Sequence, residues 1–141
     1  MTTPLYTRDI LRLAASIPFL EPIDAPDGEA ERRSPTCGSR MAVAVRIEDG
    51  RVAALSQRVE ACAFGQASAA LLARHAPGRG LAEIRAARAG IADWFAGGDD
   101  RPDWPGFDLL AAARDYPARH GAILLPFDAA IAALEGQEAA A

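Results

Sequence analysis

Ser34–Ser68 reads SPTCGSRMAVAVRIEDGRVAALSQRVEACAFGQAS, and it decides the fold. Asp49-Gly50 stands between two apolar-alternating runs, a strong short-range signal for a β-hairpin. Met41, Val43, Val45 and Ile47 alternate with Ala42, Ala44, Arg46 and Glu48, the period of a strand with one apolar face. The return strand, Arg51–Ala61, is less regular: Leu55 and Val59 share one face, Val52 and Ala54 the other. A two-residue turn pairs Cys37 with Cys62; a three-residue loop moves every pairing by one. The longer loop sets Leu55 against Val45 and Val59 against Met41, and is the preferred register. Either way a cysteine stands at each side of the hairpin mouth, where opposed residues lie about 4.5–5.5 Å apart. Two thiolates at that spacing can share one metal centre.

The remaining segments supply helices. Thr7 reads as an N-cap, and Ile10, Leu11, Ala14 and Ile17 recur at helical spacing over residues 7–17, stopped by Pro18. Phe19 to Pro35 is a loop rich in Pro, Asp and Glu, with one short extended piece near 31–36. Gln66–Ala76 is Ala- and Leu-rich and ends at Pro77-Gly78; Leu81–Phe95 is a further helix that Gly90 threatens to break. A short helix over Phe107–Arg114 and a final one from Ala118–Ala122 to about Leu134 follow. Pro126 must lie in that helix's first turn or kink it. Strands followed by a run of helices give an α+β domain: a small antiparallel sheet of about three strands, with helices packed on one face. Residues 1–141 read as one domain.

Composition narrows the function. A formal net charge of −4 leaves no basic excess to neutralise phosphates, which argues against a nucleic-acid partner. No apolar run reaches the length of a membrane span, and charge interrupts the N-terminal stretch MTTPLYTRDILRL, so a cytoplasmic location is expected. Two cysteines in such a chain are more often thiols, a redox pair or metal ligands than a structural disulfide.

Cys62 precedes a helix, whose amide groups and dipole favour a thiolate. Cys37, between Pro35-Thr36 and Gly38, lies at a bend where amides can face a sulfur. The plainer reading, a buried Cys62 and a loop thiol at Cys37, stands beside it. Of the two histidines, His75 suits a helix C-terminus as a partly charged cap, and His120 could reach the cysteines only through tertiary structure. His120 and a carboxylate, water or partner could then close a four-ligand site. Trp94 and Trp104 are expected to fill packing between helices, and Asp99, Asp100 and Asp103 to form a solvated loop. Phosphate-binding glycine loops, zinc-protease motifs and nucleophile elbows do not occur.

Three segments, taken in order, resemble the iron–sulfur cluster assembly scaffold family of NifU N-terminal domains, IscU and SufU. Pro35-Thr36-Cys37-Gly38 is similar to the family's P-x-C-G, which there continues with Asp. Cys62-Ala63-Phe64-Gly65-Gln66-Ala67-Ser68 is similar to the second-cysteine segment, and Pro117-Ala118-Arg119 to the start of the third. Tyr6–Leu13 resembles the N-terminal helix of the family. The resemblance implies an IscU/NifU-like fold and three cysteines with the Asp, or a His beside the third cysteine, around an iron–sulfur cluster or zinc. Here only Cys37 and Cys62 carry over. Ser39 stands at the Asp position, Ala122 at the third cysteine, Gly121 at the neighbouring His position, and His120 one residue earlier. Arg119 keeps a basic position of the family.

What the resemblance implies is a cluster scaffold or sulfur acceptor, not an enzyme. It would hold a labile [2Fe–2S] cluster, zinc or no metal at Cys37 and Cys62, with a cysteine desulfurase and cluster-accepting or chaperone proteins as partners. Two other readings stay open: a metal-free adaptor that binds assembly partners, and a dithiol redox protein with a reversible Cys37–Cys62 disulfide.

Overall fold

The computed structural model describes residues 7–34 and 38–140, residues 137–140 in backbone alone. The element order is α1 (Arg8–Ala14), β1 (Gly28–Arg33), β2 (Arg40–Glu48), β3 (Arg51–Glu60), α2 (Ala63–His75), α3 (Leu81–Phe95) and α4 (His120–Ala140). Short 3₁₀ segments at Phe107–Asp115 and Pro117–Arg119 precede α4. The strands form one antiparallel sheet in the order β1-β2-β3. This is the α+β architecture the sequence implies, with the helices on one face.

Both candidate hairpin registers occur in the same hairpin. At the tip Glu48 pairs with Arg51 and Ile47 with Val52, around a two-residue turn. Asp49 and Gly50 have φ of 54° and 74°, the left-handed values a type I′ turn requires. Between Arg46 and Ile47 the register shifts, leaving Ala53 as an extra residue, and beyond it Val45 pairs with Leu55 and Met41 with Val59. The preferred pairing is therefore present, produced by a β-bulge and not by a longer loop. The bulge also explains the irregular pattern of the return strand: the extra residue lets Val52 and Leu55, three apart, both face the core, 2% and 3% exposed. Ile47 N–H, at the bulge, donates to Asp27 Oδ2 at 2.7 Å.

Met41, Val43 and Val45 project from β2 into a core shared with α1, α2 and α4, where Ile10, Phe64, Leu72, Ile123 and Phe127 are fully buried. The inner face takes one polar side chain deep into the core. Gln57 is buried, and its Nε2 donates to the carbonyls of Pro18 (3.1 Å) and Ala69 (3.4 Å), so its amide is not orphaned. Trp94 and Trp104 are buried between helices as expected; Trp104 Nε1 donates to Leu71 O at 2.9 Å. Across the sheet, α4 comes so close to β1 that a Cβ on Gly28 would stand 2.0 Å from the carbonyl oxygen of Ala133. That approach fixes the extended segment at 28–33, three residues earlier than the sequence implies.

Four further expectations shift. Thr7 Oγ1 accepts from Ile10 N at 3.2 Å as an N-cap should, but α1 ends at Ala14. α2 begins at Ala63, three residues before the expected start, because packing of Gly65 outweighs glycine's low helix propensity. α3 runs unbroken through Gly90, since Ile84, Ala87, Ile91 and Phe95 bury a continuous stripe on either side of it. Pro126 is the seventh residue of α4, past its first turn.

His75 departs from its expected role. Its ring stands edge-on to Trp104, with centroids 6.4 Å apart. Burial, with the charges of Arg79 and Arg74, holds its pKa below the ordinary value. The cation at this helix end is Arg79 instead: its Nε donates to His75 O at 2.8 Å and its guanidinium lies 4.4 Å over the Trp104 ring.

Candidate functional site

The pairing of β2 with β3 ends at Arg40–Glu60, where Arg40 Nε and Nη2 both donate to Glu60 Oε2, at 3.1 and 2.7 Å. Extending that register by two residues aligns Gly38 with Cys62. Cys37 itself lies outside the described residues. On either side of residues 35–37, Ser34 N donates to Ser39 O (2.9 Å) and Gly38 N to Ser34 O (3.2 Å). Gly38 has φ 71°, a turn that glycine adopts without strain.

Cys62 is the N-cap residue of α2, with φ −67° and ψ 171°. It is a half-buried free thiol whose side chain makes no capping hydrogen bond. The N-terminal amides of α2 are thus left without a side-chain cap from Cys62, at a helix end that attracts negative charge.

Ala122, the residue that the sequence resemblance aligns with the third cysteine, reaches this corner through α4. Ala122 is fully buried. A Cβ on Gly65 would lie 3.3 Å from both the Cβ and the carbonyl oxygen of Ala122, and 2.7 Å from the Cβ of Ala61. Gly65 follows Cys62 by three residues, so both occupy one side of the first turn of α2. Ala122 therefore packs beside Cys62's end of the helix. Pro126 has no N–H to offer the carbonyl of Ala122 four residues before it, and that oxygen lies against Gly65. One turn further along α2, the buried Ser68 Oγ donates to Ile123 O at 2.6 Å. Gly65 and Ser68 are what the sequence reading missed as positioning residues. Their signal was the spacing 62, 65, 68, which lies along one side of a helix.

Ser39 is buried, at 4% exposure, just before β2 begins at Arg40. His120 opens α4, its Nε2 2.8 Å from Ala113 O and its ring 4.6 Å from that of Phe95. With the proton on Nε2, that contact leaves the Nδ1 lone pair as the ring's possible ligand atom. Among the described residues, no group of three or more His, Cys, Asp and Glu side chains is arranged to hold a metal ion. Nor is any helix among them long and apolar enough to cross a membrane.

No family model matches the chain, and no curated protein matches it in sequence. Solved structures do. A nitrogen-fixing NifU-like protein (N-terminal) from Brucella abortus is similar over 97% of this chain and 96% of its own, at 32% identity and a TM-score of 0.91. A protein described as an iron–sulfur cluster assembly scaffold for the SUF system, from Fervidobacterium islandicum AW-1, is similar over 92% of this chain and 96% of its own, at 18% identity with a TM-score of 0.83. A protein described as hypothetical covers 93% of this chain and 97% of its own, at 17% identity with a TM-score of 0.75. The last two speak for the fold alone.

Proposed function

Because this chain belongs to the NifU-like family, the NifU N-terminal, IscU and SufU group, we propose that it serves iron–sulfur cluster assembly as a two-thiolate scaffold or sulfur acceptor. The observation that carries this reading is Cys62: a half-exposed, uncapped free thiol at the N-cap of α2, two residues past the hairpin. Cys37, by its place in the sequence, would supply the second sulfur. The cluster, or a sulfur atom held as a persulfide, is cargo and not a resident cofactor.

Ala122 and Ser39 set the limit on what the chain can hold. An alanine packed at the third position offers no donor, and a serine hydroxyl does not replace a carboxylate in charge. Two protein thiolates leave half of a four-ligand set to outside groups, so the cargo would be weakly held and readily passed on. His120 Nδ1 is one candidate donor; a partner protein or a small thiol is another. A cysteine desulfurase as sulfur source and chaperones or acceptor proteins as recipients are proposed on family grounds, as are a cytoplasmic setting and the absence of enzymatic activity. The metal-free adaptor is the second reading, and buried Ala122 at a ligand position is the observation that favours it.

Anaerobic reconstitution with ferrous iron and sulfide separates the two. Measured iron, acid-labile sulfide and visible absorption should show sub-stoichiometric cluster on the wild type. Cys62→Ser and Cys37→Ser should each abolish it, and Ser39→Asp with Ala122→Cys should raise both occupancy and retention during gel filtration. Iron and sulfide contents left unchanged by either cysteine substitution would sink the scaffold reading and favour the adaptor.

A further inference from the structure

The outer face of the sheet, turned away from the helices, carries an open trough of about 460 Å³. The strand registers say how it is lined. Ala42 and Ala44 of β2 form the floor. On one side β1 sets Glu31 against Ala42 and Glu29 against Ala44. On the other β3 sets Arg58 against Ala42 and Ser56 against Ala44. Alternate residues of a strand share a face, so two carboxylates stand along one bank and a guanidinium with a hydroxyl along the other. The segment from Phe19 to Asp27 crosses the same face as a strap. Gln57 N donates to Phe19 O at 2.9 Å at the β3 edge, and Ile47 N to Asp27 Oδ2 at 2.7 Å on the β1 side. Between those fastenings Leu20, Pro22 and Ile23 wall the trough with apolar side chains.

Some of the surrounding charge is already matched: Arg40 meets Glu60 at 2.7 Å and Arg33 meets Glu31 at 3.5 Å. Glu29 and Arg58 make no ion pair among the described residues. Their strands lie about 10 Å apart with β2 between them, and neither charge reaches across. The Ser56 hydroxyl makes no hydrogen bond among the described residues and stays open to the trough. The apolar wall is likewise uncovered, with Leu20 at 53% exposure. The strap that carries it is strained, since Phe19 and Ala25 hold φ of 62° and 47° without being glycine. Strain of that kind persists where the surrounding structure over-determines the backbone, and it clusters at ligand clamps.

We propose that the trough binds a small zwitterion with an apolar tail, the chemical class of the larger aliphatic α-amino acids. The ammonium lies between Glu29 and Glu31. The carboxylate takes the Arg58 guanidinium and the Ser56 hydroxyl, and the tail runs over the alanine floor toward Leu20, Pro22 and Ile23. An α-amino acid carries both charges on one carbon, so it answers both banks at once with charge-assisted hydrogen bonds. A fatty acid or an amine leaves one bank unmatched, and the interior of a peptide chain carries neither charge. The volume falls within the usual range of small-molecule sites, while the open top keeps binding weak.

Titration with L-leucine followed by amide NMR tests it, with saturable shifts expected at Ala42, Ala44, Ser56 and Arg58 and a Kd of about 0.1–1 mM. Three truncated probes address the three contacts: isocaproate lacks the ammonium, isoamylamine the carboxylate and glycine the tail. Each should bind about 10-fold more weakly than leucine, or worse. Arg58→Gln should weaken leucine by about 10-fold and leave isoamylamine unchanged; Glu29→Gln should do the same to leucine and leave isocaproate unchanged. Both positions are exposed, and the amide spectrum itself shows that the variants fold. No saturation up to about 10 mM, shifts confined to other parts of the chain, a truncated probe as tight as leucine, or either variant without effect would each overturn the assignment. The site uses neither cysteine, so it stands or falls apart from any cluster.

Discussion

The two ends of the β2–β3 hairpin both depend on glycine, for unrelated reasons. At the tip, Gly50 occupies φ 74°, and a Cβ there would meet nothing within 4 Å. The demand is purely on the backbone. At the mouth, Gly65 has no left-handed φ, yet a Cβ would collide with Ala61 and crowd Ala122. The demand there is space, imposed first by Ala61 four residues back and then by Ala122 of a helix more than 50 residues further along the chain. The tip is local structure that tertiary contacts merely decorate. The mouth is completed only when Ala122 of α4 packs on Gly65.

Substitution at the mouth should therefore cost more than at the tip. Gly65→Ala is expected to destabilise by about 2–3 kcal/mol through overpacking, read as a lower urea midpoint. Combining it with Ala61→Gly should recover part of the loss, with a coupling of at least about 0.5 kcal/mol; strict additivity would break the claim that the two positions compete for space. Gly50→Ala forces a Cβ into the left-handed region and should cost about 1–2 kcal/mol. A cost equal to that of Gly65→Ala would erase the distinction between the ends. Ser68→Ala, which removes the donor to Ile123 O beside the mouth, should cost about 1 kcal/mol, with the loss seen in the same denaturation series.

The smallest effect lies at the far end of α2. His75 has its folded pKa below the ordinary 6.5, first through burial and then through Arg79 and Arg74. Near that pH the unfolded chain binds more protons at this residue than the folded one does. Stability should thus be fully present above about pH 6.5 and decline as pH falls through it. His75→Gln should flatten that part of the curve slightly, since the ring is only half-buried; a slope unchanged by the substitution would remove His75 as its source.

Much of the fold was legible because its signals are local. Asp49-Gly50, the alternation from Met41 to Ile47, and the stripe Ile84, Ala87, Ile91, Phe95 each declare an element within one strand or helix length. The readings that shifted are those where distant packing competes with local preference. Gly65 looked like a poor helix residue and Gly90 like a break, but one is seated against α4 and the other rides on a buried stripe. The bulge at Ala53 was visible only as disorder in the alternation, because alternation alone does not say whether a turn or a strand has gained a residue.

The sequence by itself determined which donors this protein can offer. Side-chain chemistry does not depend on folding, so Cys37 and Cys62 offer thiols, Ser39 only a hydroxyl and Ala122 no donor, and no packing can alter that. Tertiary structure alone decided where they stand: Cys62 at the N-cap of α2, Ala122 pressed on Gly65, His120 holding Ala113 O, and an outer face with Glu29 and Glu31 across from Arg58. Those placements come from contacts between residues far apart in the chain, whose geometry is set only when the helices close over the sheet.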